Sequence, residues 1–288
     1  MRLAHAIDLH CHYGPDTTGG TLNAPASHGV TALEAAREAV DSGHAALVLK
    51  SHSFASPALA ATLSEAIPGL QVFGGICTDY PSGGLNVSAV EAALAIGAKI
   101  VWLPTVHSHN DMTQHDRGVP GPGIRVLDAD GDIVPEVRQM WDLIQEKGAI
   151  LATGHISADE HYRVAKEFAG QGRVLVTHAG EELAGPKLSA AQSAELADLG
   201  AIIELTALTC QSVMGVQGKS PEEMVATIAT IGPARCTLSS DYGWSQVIPR
   251  PAGGLRDFLE SLWEHGVPEG DIETMVSTNP ARLLQIEV

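Results

Sequence analysis

Eight short apolar runs, each followed by a polar loop and then by a segment with helical spacing, constrain this 288-residue chain more than any other feature. The runs cover residues 6–9, 45–49, 71–76, 99–103, 149–152, 173–177, 201–205 and 235–239. Most are apolar without alternation, as parallel strands covered on both faces are. Helical spacing covers 31–42, 87–96, 136–147, 158–169, 189–199, 221–231 and 255–263. Several ends are readable: Ser220 caps before Pro221 at a first helical position, and Gly148, Gly200 and Gly232 follow helix ends. Eight such units predict an α/β fold, a (β/α)8 TIM barrel, as one domain over 1–288. A doubly wound open sheet uses the same alternation and stands second.

One connection is out of proportion. After the fourth strand, residues 106–135 far exceed the usual two to six. Within them, 123–134 reads as a hairpin turning at Asp130-Gly131. The run Asp128-Ala-Asp-Gly-Asp132 has a superficial calcium-loop look, but the distal Glu of that loop is missing, so a turn is the reading. Barrel sites open at the C-terminal ends of the strands, which makes this insertion a lid or a substrate-binding loop.

Charge narrows the partners. A formal net charge of −17 repels nucleic acid and anionic lipid surfaces. No apolar run approaches the roughly 20 residues of a membrane span, and the start runs into a strand pattern instead of a leader's apolar stretch. Cys11, Cys77, Cys210 and Cys236 are widely spaced and form no Cys-x-x-Cys pair, which suits reduced thiols and a cytoplasmic location. A small-molecule partner is expected. Homo-oligomers remain open.

The chemistry sits at the strand ends. The first strand finishes Asp8-Leu9-His10-Cys11-His12, and residues two apart on a strand point the same way, so the two imidazoles form a chelating pair. His155 ends the fifth strand, His178 the sixth and Asp241 the eighth. In a closed barrel these ends converge. Four imidazoles and a carboxylate suit Zn²⁺, with Mn²⁺, Fe²⁺, Ni²⁺ or Co²⁺ as alternatives. Asp8 is placed on the face of His10 and His12, deeper in the barrel, in a supporting role.

That order of ligands resembles the amidohydrolase superfamily, and Asn279-Pro280-Ala281-Arg282-Leu283-Leu284 looks like its C-terminal helix signature. The opening 8–16, with Leu49-Lys50-Ser51-His52 and Thr153-Gly-His-Ile-Ser157, resembles an uncharacterised amidohydrolase-like branch. The resemblance implies one or two divalent ions. It also implies metal-activated water attacking an amide, lactam, lactone or ester bond of a small molecule, with Asp241 moving the proton and His178 or Lys50 polarising the carbonyl.

The chain departs from the family at strand four, which ends Trp102-Leu-Pro-Thr-Val-His107 and brings no Lys or Glu. Lys50, ending strand two, is left with three roles: carboxylated metal bridge, ammonium for an anionic substrate, or partner of a barrel carboxylate. His52, His107, His109 and His115 fall on loops at the mouth, and the first three are candidate substrate contacts. Glu204, a carboxylate in an apolar strand, is read as a ligand-orienting or substrate-contacting group or as the counterion of Lys50. Arg117 and Arg125 in the insertion are candidates for holding a carboxylate. Three other readings stay open. They are a mononuclear decarboxylase or hydratase, favoured by Ser240-Asp241-Tyr242; a phosphoesterase beginning Asp-x-His-x-His; and a non-catalytic barrel that keeps metal for stability.

Overall fold

The apolar runs become eight parallel strands in the computed structural model, which describes residues 5–17 and 29–287. They are β1 (Ile7–His12), β2 (Ala46–Lys50), β3 (Gln71–Cys77), β4 (Ala98–Trp102), β5 (Ile150–Ala152), β6 (Val174–Val176), β7 (Ile202–Thr206) and β8 (Cys236–Ser239). Each bonds to the next in chain order. At the seam the Asp241 N–H donates to the His10 carbonyl and the His12 N–H to the Tyr242 carbonyl, both at 2.9 Å. The fold is a (β/α)8 barrel. The start at residues 1–4 lies outside the described residues.

Helices α1 (Ala32–Asp41), α2 (Pro57–Ala66), α3 (Val87–Ala95), α4 (His109–Gln114), α5 (Pro135–Glu146) and α6 (Ala158–Val164) alternate with the strands. They are followed by α7 (Ala190–Asp198), α8 (Pro221–Ile231), α9 (Pro251–Glu264), α10 (Glu269–Glu273) and α11 (Asn279–Leu284). Thr31, Ser157, Ser189 and Ser220 close capping boxes, which explains why those starts were readable. The α2 segment escaped the reading, because PALAATLSEA lacks a clean polar stripe. No helix among the described residues is long and apolar enough to cross a membrane.

Alternate strand residues divide between two layers. Ala46, Val48, Ile100, Trp102, Ile150, Ala152 and Leu175 join Leu283 and Leu284 of α11 in one cluster. Leu47 and Leu49 pack with α1 residues instead. Strand β1 breaks this alternation with a bulge between Asp8 and Cys11, whose partners on β2 are Leu47 and Leu49. Asp8 is therefore out of phase with His10 and His12, contrary to expectation. Its Oδ1 accepts from the His10 N–H at 3.0 Å and the Ser240 N–H at 3.0 Å, so it clamps the seam.

The insertion divides in two. Residues 106 and 114–117 border the cavity at the strands' C-terminal ends. The stretch from 123 onward instead lies against α6, where the Val126 N–H donates to Glu160 Oε1 at 2.9 Å. The expected hairpin is a single antiparallel bridge, Leu127 to Ile133. Asp128 Oδ1 accepts from the N–H groups of Asp130 and Asp132, each at 3.0 Å, and Gly131 turns at φ +80°. That carboxylate holds a turn.

Candidate metal centre

Three side chains converge from the β1–β8 seam. His10, His12 and Asp241 are all buried, and they offer ligand atoms that lie within 4.8 Å of one another. Asp241 Oδ1 is 3.0 Å from His10 Nε2 and 3.2 Å from His12 Nε2. Asp241 reaches this place in a left-handed conformation, φ +57°, one that non-glycine residues rarely adopt. Behind it, Gly243 (φ +110°) allows the chain to pass the His12 carbonyl, since a Cβ there would stand 1.9 Å from that oxygen.

His155 and His178 face this trio across the cavity. The ring of His178 is 5.8 Å from that of His10 and 4.8 Å from that of His155. His178 also adopts a positive φ, +28°. Gly154 lets the chain turn into His155, because a Cβ there would meet the Leu103 carbonyl at 2.3 Å.

Two buried carboxylates aim two of these rings. Glu204 Oε2 lies 3.0 Å from His10 Nδ1 and accepts the His178 backbone N–H at 3.2 Å. Asp111 Oδ2 lies 2.8 Å from His155 Nδ1. A carboxylate on one ring nitrogen fixes the tautomer and leaves the other nitrogen's lone pair for a ligand, the arrangement of metal-binding histidines. Glu204 is fully buried and does not border the cavity, so it serves His10 instead of touching substrate or balancing Lys50.

Lys50 is 1% exposed, borders the cavity and stands 2.9 Å from His10 Nε2. Among the described residues no carboxylate oxygen lies within 4.0 Å of it, which removes the structural-pair role. Its other neighbour is the face of Trp102, at 5.6 Å. A buried ammonium without a counterion is costly, and an anionic ligand would relieve that cost.

His52 also borders the cavity, 4.9 Å from the His12 ring. His52, Cys77 and Asp79 offer ligand atoms within 4.8 Å of one another, yet Thr105 stands among them. Its hydroxyl is 2.7 Å from His52 Nδ1 and bonds the Asp79 carboxylate. Asp79 also accepts the N–H groups of Thr105 at 2.9 Å and His107 at 3.0 Å. This cluster is a hydrogen-bond relay that directs His52. His107 and His109 do not line the cavity, contrary to expectation. His107 is buried beside Asp79 and Tyr80, while His109 bonds the Pro122 carbonyl and Arg125. Arg125 is thereby held outside the cavity, whereas Arg117 borders it and bonds Asp111 through Nε at 2.6 Å.

Burial sets the charge state of the rings. It lowers His12 to about 4 and His52 to about 3, and drives His155 and His178 well below the ordinary histidine value. Each is a neutral imidazole with a lone pair to give. His10 is the exception: burial opposes its charge, but Asp241 and Glu204 raise it to about 9. Those contacts conflict, because Nε2 meets a donor in Lys50 and an acceptor in Asp241 at once. A cation between Nε2 and Asp241 would resolve the conflict, leaving Nδ1 to donate to Glu204. Despite burial, His10 and His12 hold the Asp241 carboxyl well below the usual carboxylate range. The donor set thus fits a divalent ion.

The cavity is about 430 Å³. Val106, Leu183, Leu208, Met214 and Trp244 supply its apolar wall. Glu181, 4% exposed, keeps one buried oxygen without a hydrogen-bond partner on this wall. Asp111, Asp79, Glu181 and Asp16, which borders the cavity and accepts the His52 N–H at 3.1 Å, were not foreseen as site residues. Asp79 carried the faintest signal, sitting two residues past the end of β3 as His52 sits two past Lys50.

No curated protein matches the chain. Solved structures do, at low identity. A putative 2-pyrone-4,6-dicarboxylic acid hydrolase from Pseudomonas putida is 17% identical, with TM-score 0.63, covering 99% of this chain and 98% of that one. A 2,6-dihydroxybenzoate decarboxylase from Rhizobium is 11% identical, with TM-score 0.63 and coverage of 98% and 99%. An amidohydrolase from Burkholderia multivorans with bound zinc is 12% identical, with TM-score 0.64 and coverage of 99% and 100%. These likenesses concern the fold. The model of the family of unknown function DUF6282 matches residues 5–204, well over half of the sequence, and the chain belongs to that family.

Proposed function

We propose that the chain is a metal-dependent hydrolase that cleaves an amide, lactam, lactone or ester bond in a small molecule. The observation that carries this reading is the convergence of His10, His12 and Asp241, with ligand atoms within 4.8 Å, beside a cavity that His12, Asp241, His155 and His178 line. His10, His12, His155, His178 and Asp241 would hold the ion or ions, zinc being the first expectation for this donor set. When bound, the ion supplies Lewis acidity and lowers the pKa of water to near neutrality.

The remaining chemistry belongs to the side chains. Asp241, kept ionised by its neighbours, accepts the proton of the attacking water and returns it to the leaving nitrogen or oxygen. Lys50 orients an anionic group or a carbonyl oxygen, and the apolar wall excludes water from the rest of the substrate. Four free thiols, three of them buried, suit a reducing, cytoplasmic setting.

Lys50 also supports a second reading. An unpaired buried ammonium beside a cation-binding cluster suits release of a carboxylate as well as hydrolysis, so a mononuclear decarboxylase is the alternative. The test is metal content per chain in freshly purified protein, followed by turnover of carboxylate-bearing lactones and amides in ¹⁸O-labelled water. Tightly held zinc that disappears in a His10→Ala/His12→Ala variant, with label in the product, is expected. Unlabelled product with loss of CO₂ moves the assignment to decarboxylation, and wild-type protein that takes up no metal refutes both.

A further inference from the structure

A second pocket lies at the opposite end of the barrel. It is about 370 Å³ and is lined by Arg173, Val174, Ile202, Arg282, Leu283 and Gln285, along with two glycines. Arg173 directly precedes β6, Val174 begins it and Ile202 begins β7, so the pocket opens at the N-terminal ends of the strands, against α11.

Two arginines border it. With 34 acidic residues against 17 basic ones, most arginines find carboxylates. Arg117, Arg138, Arg163, Arg235, Arg250 and Arg256 all have one within 4.0 Å. Arg173 and Arg282, like the exposed Arg37 and Arg125, have none among the described residues. Their contacts are long ones to neutral oxygens: Arg173 Nε to the Ala149 carbonyl at 3.4 Å, and Arg282 Nη2 to Asn279 Oδ1 at 3.5 Å. Burial alone lowers Arg173, with no carboxylate acting against it. Arg173 is half-buried and Arg282 exposed, and two guanidiniums that border one concavity with no carboxylate within reach can together hold a planar or tetrahedral anion. The floor beneath them, Val174, Ile202 and Leu283, is apolar.

We propose that this pocket binds a small multivalent anion, a phosphorylated or polycarboxylate metabolite with a short apolar portion, at a site separate from the metal centre. Arg173 and Arg282 clamp the anionic group, and the floor takes the carbon skeleton. The site does not depend on the proposed hydrolase activity, because His178, the metal-site residue nearest in sequence, lies beyond the other end of β6.

The test is calorimetric titration of the full chain with inorganic phosphate and, separately, with citrate at low ionic strength. Saturable binding of at least one of them, one per chain, is expected, and tighter binding of citrate would mark the polycarboxylate class. Arg173→Gln and Arg282→Gln should each weaken it about tenfold or more, for loss of one bidentate partner, with circular dichroism unchanged. The His10→Ala/His12→Ala variant should bind as the wild type does. No saturable binding in the wild type, unaltered affinity in both arginine variants, or loss only in the histidine variant overturns the proposal. If either arginine variant fails to fold, Arg173→Lys and Arg282→Lys, which keep charge but lose the fork, replace it and must show weaker binding.

Discussion

The two sides of the candidate metal centre are built from different materials. On the β1–β8 side, His10, His12 and Asp241 are locked by main-chain bonds across the seam and by the Asp8 carboxylate, and their ligand atoms already lie within 4.8 Å. On the β5–β6 side, His155 depends on Asp111, a side chain on the insertion helix α4, which Arg117 holds in turn. One half is therefore made by the barrel itself. The other is borrowed from a loop, where positions vary more and local opening is easier.

The sharpest way to break the comparison is at the seam. Gly243→Ala would force a Cβ to within 1.9 Å of the His12 carbonyl at a residue with φ +110°. The cost should exceed that of an ordinary exposed substitution and reach roughly 3 kcal/mol, since strain and backbone displacement add. Urea unfolding measures it. A change below about 1 kcal/mol would mean the seam yields, and the β1–β8 side is not the rigid half.

Asp111→Asn tests the borrowed half. Asn loses the charge, and with its amide oxygen kept on Arg117 it turns an NH2 toward His155 Nδ1 in place of an acceptor; such changes typically weaken metal binding about 10- to 100-fold. Competition against a zinc chelator should show that loss, with global stability nearly unchanged. Equal losses from Glu204→Gln would say both rings need their carboxylates alike. Unchanged zinc affinity in Asp111→Asn would remove His155 from the ligand set.

The same contrast explains what could be read in advance. His10, His12, His155, His178 and Asp241 all follow apolar strand runs, and a period of two with a barrel's common mouth is enough to bring them together. The bulge in β1 was not legible, because nothing in Asp8-Leu9-His10 marks an extra residue, and Asp8 was consequently put on the wrong face. Asp111 and the Asp79–Thr105 relay depend on contacts between distant segments, 44 and 26 residues apart in sequence. Local pattern carries no record of such contacts. The misplaced His107 and His109 show the converse: being on a mouth loop does not decide which way a side chain turns, and both are held by partners outside the cavity.

The smallest expected effect lies where the two materials meet. Ser157 opens α6 two residues after His155 and forms a capping box with Glu160. Glu160 Oε2 accepts the Ser157 N–H at 2.8 Å, while Oε1 accepts the Val126 N–H of the insertion at 2.9 Å. Ser157→Ala removes the hydroxyl from this group but leaves both Glu160 bonds to main chain. The loss should be about 1 kcal/mol, the ordinary worth of a capping side chain, with zinc affinity unaltered because Asp111 still holds the ring. If zinc affinity falls further than stability does, the helix start helps aim His155. The β5 side would then owe its geometry to the barrel's own α6 as well as to the insertion.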